Sequence, residues 1–538
     1  MAAIITLTEL SSEVPIQDLS YHLAASINNE YISFLDSSLL PSKYSRFSYL
    51  AWEPDFAIYG NNSSNIMSDF KGSKSGGRLA AIKQEGILKN GNIVEEGNPI
   101  AYLRKIFSER FENKIEKYLL VQNGRNSGRG YEISNVSNAK TPDLPDFTGG
   151  FIGYFSYDLK NFIEALPSNA ARDIDIPVYY LVYYSKLLAF CHKTGKLFYI
   201  RMEKSKNGYG GNITKDAAEE AIFESGMVSS FIKAEAKKNP PDLQKHIENK
   251  YLIKPANGFD LKSNFEKPGY IEAVKKAKKY IHEGEIYQVN MTQRFDCRLD
   301  VPPWDLYYIL RIKNPAPFCA FLKFPEFCVG SSSPERFLKL KNRTIQTRPI
   351  KGTRPRGTDL YGDRKNAEEL LKSIKDRAEL NMIVDLERND LGRFCRYGTV
   401  RVKEHAVVEK YARVFHLVST ITGQVRKGHD IADILRATFP GGSITGAPKI
   451  RAMEIIDELE NVARNIYTGA LGYIGSGPVM DLNIVIRTFI IKDGHFYYNV
   501  GGGIVEDSEP ESEYQETLDK GSALQDTLEF FTKKTPVD

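Results

Sequence analysis

Residues 286–295 read Ile-Tyr-Gln-Val-Asn-Met-Thr-Gln-Arg-Phe, and their pattern has a period of two. Tyr287, Val289, Met291 and Phe295 are apolar, whereas Gln288, Asn290, Thr292 and Arg294 are all polar. That is the repeat of a strand, so the polar set shares one face of a sheet. Just upstream the period changes. Tyr270, Val274, Ala277 and Ile281 recur at helical spacing, and Gly284 then ends the helix. The C-terminal half therefore alternates helix and strand. The polar face of 286–295 is either a solvent-facing surface or the wall of a binding cleft.

A second segment carries candidate chemistry. Residues 346–357 read Gln-Thr-Arg-Pro-Ile-Lys-Gly-Thr-Arg-Pro-Arg-Gly. Prolines do not fit a helix interior, so this is a strand end running into a loop. Lys351 has Arg348, Arg354 and Arg356 close in sequence, and nearby cations disfavour an ammonium and free the amine as a nucleophile. The plain alternative is a basic surface loop.

Two acidic helices follow. Residues 363–388 read as one long helix with Leu370, Leu371, Ile374, Ala378 and Met382 on one side, and Asp376 and Glu379 sharing a face. Another helix starts near Ser508, which with Glu511 forms a capping box. Its Glu513 and Glu516 also share a face. Two such pairs suit a hard divalent cation, or are simply solvated, and Lys520 can pair with Glu516. Between the helices lies Phe-Pro-Gly-Gly-Ser-Ile-Thr-Gly-Ala-Pro-Lys, residues 439–449. Thr445 or Gly446 suits the N-cap of the helix it enters, and Pro448 the first turn. A Gly-rich entry to a helix attracts carboxylate or phosphate. It is no Walker loop, since no GxxxxGK[ST] occurs. Residues 500–503, Val-Gly-Gly-Gly, read as a second Gly-rich turn where backbone and ligand approach closely.

A chain of 538 residues exceeds one small core. Segments rich in Gly, Ser, Asn and Lys at 60–97 and 203–267 divide it into an N-terminal domain of 1–200, a linker or insertion at 201–267, and a better-patterned domain at 268–530. The net charge of +4 gives no case for nucleic acid. Five scattered cysteines without a CxxC pair read as reduced cytosolic residues, neither a disulfide frame nor a zinc site. No signal peptide or membrane-spanning run is indicated, so a cytoplasmic location is expected.

The blocks GEIYQVN, SSPERF, RPIKGTRPRG, MIVDLERNDLGR, FHLVS, FPGGSITGAPKIRAMEIIDELE and VGGGIVEDSEPESEYQET occur in this order through most of 268–530. Together they resemble the chorismate-utilising enzymes, the family of anthranilate synthase component I. FLDSS and SRFSYLAWEP resemble the family's first domain more loosely. The resemblance implies an α+β fold, an α/β sandwich of two large antiparallel sheets with outer helices and an active site in a cleft at their edge. It assigns Glu379 and Glu516 as ligands of Mg2+, with Asp376 and Glu513 in support, the metal holding the ring carboxylate of chorismate. Arg487, Tyr467 and the backbone of Gly501, Gly502 and Gly503 would hold the enolpyruvyl carboxylate. Ser443 and Thr445 would line the pocket, His416 would stand beside the ring, and Glu335 would be the acid for the departing 4-hydroxyl.

Two positions discriminate within the family. Water-adding members carry a lysine base where this chain has Gln288, so ammonia is the expected nucleophile. Anthranilate-forming members usually have alanine where this chain has Lys351, and aminodeoxychorismate synthases often have lysine. The latter branch is the nearer likeness. It implies attack of Lys351 on ring C2, loss of the 4-hydroxyl, then ammonia at C4, giving 4-amino-4-deoxychorismate, the precursor of 4-aminobenzoate. Anthranilate as product is the alternative, and a non-catalytic subunit on the same fold is another. No glutaminase-like Cys-His-Glu block is evident, so a separate glutamine amidotransferase subunit is expected to supply ammonia. No appended lyase domain is expected, so elimination of pyruvate would fall to another enzyme. Asp36, Ser37 and Arg46 lie near the family's regulatory positions and Pro315–Phe318 resembles its other wall, but the motif is altered, so the resemblance does not imply feedback inhibition.

Overall fold

The alternating segment forms the strand Gln288–Arg298, and both its faces are covered. Gln288 is fully buried and Asn290, Thr292 and Arg294 are nearly so. The polar face is thus an interior wall, not a solvated surface. The computed structural model describes residues 3–10, 16, 30–39, 46–61, 64–69, 87–89, 92–111, 115–123, 131–136, 144–204, 212–238, 243–253, 259–477 and 479–532. Of the two polar segments, residues 62–63, 70–86, 90–91, 205–211, 239–242 and 254–258 lie outside the described residues.

Gln288–Arg298 belongs to a sheet of fourteen described strands. It pairs with His495–Ile504 on one side and with the short strands Lys262–Ser263 and Gly446–Ala447 on the other. The sheet continues through Thr488–Lys492, Phe327–Ser333 and Phe318–Lys323 into Ile32–Asp36 and the N-terminal strands. The second sheet, of thirteen described strands, has Ile350–Pro355 at its end beside Val414–Gln424. It passes through Thr344–Arg348, Arg336–Lys341, Val479–Ile484 and Ala470–Gly475 into Gly150–Phe155. Pairing among the described strands is antiparallel, except between Ala3–Leu10 and Ile115–Asn123. The N-terminal strands occupy one end of each sheet and hydrogen-bond directly to strands of the C-terminal half.

The sheets face each other across aromatic side chains. Tyr180 of one lies 4.4 Å from Phe324 of the other, and Tyr154 lies 5.7 Å from the same ring, measured between centroids. Offset and edge contacts of this kind suit the ring quadrupole. Helices cover the outer faces. Leu524, Leu528 and Phe531 of Pro510–Thr532 pack with Trp304 and Leu306 of Pro303–Lys313 on the first sheet. Leu380 and Val384 of Ile374–Gly392 join Leu435 and Ile456 against the second. The result is the expected α+β sandwich.

Four local expectations need correction. The helix read over 363–388 is two, Leu360–Lys372 and Ile374–Gly392, because Ser373 accepts from the Asp376 N–H and caps the second. Leu371 and Ile374 are consequently exposed, not part of a stripe. The helix after the Gly-rich loop has Pro448 itself as N-cap, since Gly446–Ala447 is drawn out as a strand. Ser508 is not the capping-box residue. The helix begins at Pro510, and the Ser508 hydroxyl donates to Glu513 at 2.6 Å. Gly501–Gly503 form no turn. They sit inside the strand His495–Ile504, opposite Thr292, Met291 and Asn290.

Candidate active site

Lys351 lies on the end strand of the second sheet, and the chain there carries a bulge. Lys351 pairs with Leu417 and Thr353 with His416, leaving Gly352 as the extra residue at φ +71°. A left-handed residue in a bulge re-aims the neighbouring side chain, and only glycine takes it without strain. The Lys351 Nζ thereby reaches the loop opposite and donates to the Ser443 carbonyl at 3.3 Å.

The three arginines near Lys351 in sequence do not crowd it. Arg348 pairs with Glu409 at 2.9 Å, Arg354 with Asp376 at 3.0 Å, and Arg356 with Asp363. Burial, not these cations, pushes the Lys351 ammonium below its ordinary value, and Lys520 adds to that push. Glu379, Glu335 and Glu516 oppose it. The expectation of a lowered lysine stands with a different cause.

Two elements of the first sheet meet this amine. A methyl group added at Gly503 would lie 2.4 Å from the Gln288 Nε2 and 3.5 Å from the Lys351 Nζ. A side chain there would collide with the Gln288 amide, whereas the Lys351 amine stands at ordinary contact distance. Both polar atoms of the Gln288 amide are buried and have no hydrogen-bond partner among the described residues. A buried unpaired amide costs about 1–3 kcal/mol, so it marks a place for a polar guest.

Glu335 stands on the other side. It is buried, accepts from the Ser443 hydroxyl at 2.7 Å, and lies 3.4 Å from the Ile350 N–H. Burial pushes its carboxyl up to about 7, against the Ser443 hydrogen bond and the Lys351 charge. Thr445 is fully buried and turned inward, donating to the Gly441 carbonyl at 3.0 Å. Its role is to brace the loop. Arg464, which sequence reasoning passed over, braces the same loop from behind. It is 1% exposed, pairs with Glu460 at 2.6 Å, and donates to the carbonyls of Ile444 and Asn290. The i,i+4 spacing of Glu460 and Arg464 was the available signal.

The acidic residues come from two helices. Burial raises the Glu379 carboxyl, and Asp376 and Glu516 add to the rise. Glu513 is raised by burial and by Glu516, and its Oε2 is buried without a partner. Glu516 moves the other way despite its burial, because Lys520 sits 2.6 Å away. Lys520 also donates to the Gly501 carbonyl at 3.0 Å. Among the described residues no three His, Cys, Asp or Glu side chains converge in a ready-made metal cage. Asp376 is engaged by Arg354. The mutual repulsion, the orphaned Glu513 oxygen and the hard oxygen donors nevertheless fit a divalent cation.

Arg487, Tyr467 and His416 form the remaining wall. Arg487 takes φ +53° and makes no ion pair among the described residues. Burial holds its guanidinium below the ordinary value, while Tyr467 opposes the shift. His416 is pushed down to about 4 by burial and by Arg487. It is therefore a neutral imidazole, held by the Thr353 hydroxyl 3.1 Å from Nδ1 and by Tyr411, whose ring packs edge-on at 4.9 Å. A partly buried guanidinium with no carboxylate partner is a ready receptor for a ligand's carboxylate.

Asp36, Ser37, Arg46, Pro317 and Phe318 meet elsewhere, around a cavity of about 440 Å3 between the two halves of the chain. None of the residues assigned to chemistry lines it. Asp36 there accepts from Arg311 at 2.6 Å and from Tyr307 at 3.2 Å. The five cysteines are buried and free. No helix among the described residues is long and apolar enough to cross a membrane.

Residues 98–526 match the chorismate binding enzyme family. The chain is 37% identical over 396 residues to aminodeoxychorismate synthase component 1 of Bacillus subtilis, covering 73% of this chain and 80% of that one. It is 39% identical over 393 residues to anthranilate synthase component 1 of Aquifex aeolicus, covering 72% and 76%. The crystal structure of anthranilate synthase component I from Streptococcus pneumoniae superposes with a TM-score of 0.66 at 28% identity, covering 90% of this chain and 94% of that one.

Proposed function

The chain belongs to the chorismate binding enzyme family, and we propose that within it the chain is the first component of an aminodeoxychorismate synthase. It would convert chorismate and ammonia to 4-amino-4-deoxychorismate, on the way to 4-aminobenzoate and folate. The observation that carries this reading is the pairing of a partly buried Lys351 amine with the unpartnered Gln288 amide over Gly503. A desolvated amine is a nucleophile, and an amide offers ammonia a hydrogen bond without taking a proton from water.

In the proposed sequence the Lys351 amine adds to ring C2 while Glu335 gives its proton to the 4-hydroxyl, which leaves as water. Ammonia then adds at C4 and the lysine amine is expelled from C2. Glu335 must enter protonated, and a carboxyl pushed up to about 7 by burial keeps its proton in about half of the molecules at neutral pH. Arg487 and Tyr467 would grip the enolpyruvyl carboxylate. His416, uncharged, would flank the ring without competing for that carboxylate. Glu379 and Glu516 would hold magnesium, with Glu513 and Asp376 behind them. When bound, the metal supplies the positive charge that offsets the ring carboxylate.

Relatives named for anthranilate synthesis, at 38–39% identity, come close to those named for aminodeoxychorismate synthesis, at 37–42%, so the second reading is anthranilate formation from the same substrates. Product analysis separates them. The purified chain with chorismate, magnesium and ammonium is expected to yield 4-amino-4-deoxychorismate by mass and none of the anthranilate mass. The rate with ammonium should rise with pH as free ammonia increases, until Glu335 loses its proton. Glutamine should support turnover only after an amidotransferase subunit is added. Anthranilate as the main product would transfer the assignment to the second reading, and glutamine use by the single chain would remove the need for a partner.

A further inference from the structure

Glu387 has no part in the chemistry above, yet it is a second carboxyl buried beside it, 3% exposed. It projects from the helix Ile374–Gly392, two turns beyond Glu379. Its Oε1 accepts from the Gly442 N–H at 3.3 Å, and its Oε2 lies 3.3 Å from the Thr347 hydroxyl. The next loop residue, Ser443, donates its hydroxyl to Glu335 and receives the Lys351 Nζ on its carbonyl. Two adjacent loop residues, Gly442 and Ser443, thus connect Glu387 on one side with the candidate acid and nucleophile on the other.

Glu387 makes no ion pair among the described residues. The charged groups facing it are Asp390 on the same helix, Lys449 on the helix Lys449–Leu459, and Glu335. Lys449 is bound to Asp390 and to the Thr438 carbonyl. The groups facing Glu335 are Lys351, the Ser443 hydroxyl and the Ile350 N–H. Burial raises the Glu387 carboxyl, Asp390 raises it further, and the charge of Glu335 adds to the rise. The charge of Glu335 holds the proton on Glu387, and because repulsion between two charges is mutual, an ionised Glu387 opposes ionisation of Glu335.

We infer that Glu387 is a positioning residue for the acid step, acting through the Gly442 backbone N–H and through its charge to keep Ser443 in place and the proton on Glu335. This rests on the reading of Glu335 as the acid, and the test separates the two. Glu335→Gln is assayed first. If it turns over at the normal rate, the acid assignment is wrong and Glu387 has nothing to position. With Glu335→Gln inactive, Glu387→Leu, which removes both hydrogen-bond acceptors, is expected to lower kcat by about 10- to 100-fold with KM for chorismate within about twofold. Glu387→Gln keeps the shape, with an oxygen for Gly442 and an NH2 for Thr347, and should recover kcat to within a few-fold near neutral pH. Its alkaline limb of kcat, measured at constant free ammonia, should move to lower pH by about half a unit or more, because the neighbouring charge is gone. A structural role alone would leave that limb in place. Full kcat in Glu387→Leu, or a Glu387→Gln limb coincident with wild type, overturns the inference.

Discussion

Lys351→Ala is expected to stop formation of 4-amino-4-deoxychorismate while leaving the fold intact. The side chain sits at the end of a sheet and makes one hydrogen bond, to the Ser443 carbonyl, so little packing depends on it. Its loss removes a covalent route that divides one difficult displacement into two easier ones. A fall in product formation of at least about a thousandfold is the size expected for a removed nucleophile. Direct attack of ammonia at C2 then becomes the available course, giving the anthranilate-type intermediate at a reduced rate. Lys351→Arg should do no better. A guanidinium stays protonated and is bulkier, whereas the amine is held below its ordinary pKa by burial. With ammonia withheld, rapid quenching and intact-protein mass spectrometry should show a chorismate-derived adduct that peptide mapping places on residue 351. Normal 4-amino-4-deoxychorismate production by Lys351→Ala, with no adduct in wild type, would sink the covalent mechanism.

The sequence exposed this site unevenly. The period-two segment identified its strand and its polar face, because alternation is a local property. It could not say whether that face met solvent or an interior. That depends on Gly503, more than two hundred residues away, lying beside Gln288. Lys351 was visible as an unusual lysine, but proximity in sequence misassigned its neighbours. Each nearby arginine finds a carboxylate on another element, and the cation that reaches the amine is Lys520 from the last helix. Local signals also competed. Ser508 and Glu511 satisfy a capping-box spacing, but the chain starts its helix at Pro510 and uses the hydroxyl to hold Glu513. Ser373 with Asp376 carried a legible cap that the surrounding apolar residues concealed. Glu387 gave no signal at all, since a single glutamate in a charged helix is most often solvated.

The acidic pairs carry the second large expectation. Without a cation, the ring carboxylate of chorismate would face Glu379, Glu513 and Glu516. Two like charges about 4 Å apart at an effective dielectric of 20 repel by roughly 4 kcal/mol. That alone corresponds to about a thousandfold in rate if the repulsion is felt in the transition state. Chelation should therefore abolish turnover, and added magnesium should restore it. Glu379→Ala and Glu516→Ala should each lose activity by a similar factor, with unchanged melting behaviour, since neither side chain packs into an apolar core. Metal titration followed by calorimetry should show weakened binding in both, a readout independent of catalysis. The two variants need not be equal. Lys520 is paired with Glu516 at 2.6 Å and competes with any ion for that carboxylate. Lys520→Met should then tighten metal binding if the ammonium is a competitor, and leave it unchanged if the lysine swings away freely. Undiminished turnover in a metal-free sample would remove magnesium from the reaction and leave the unpartnered Glu513 oxygen without a function.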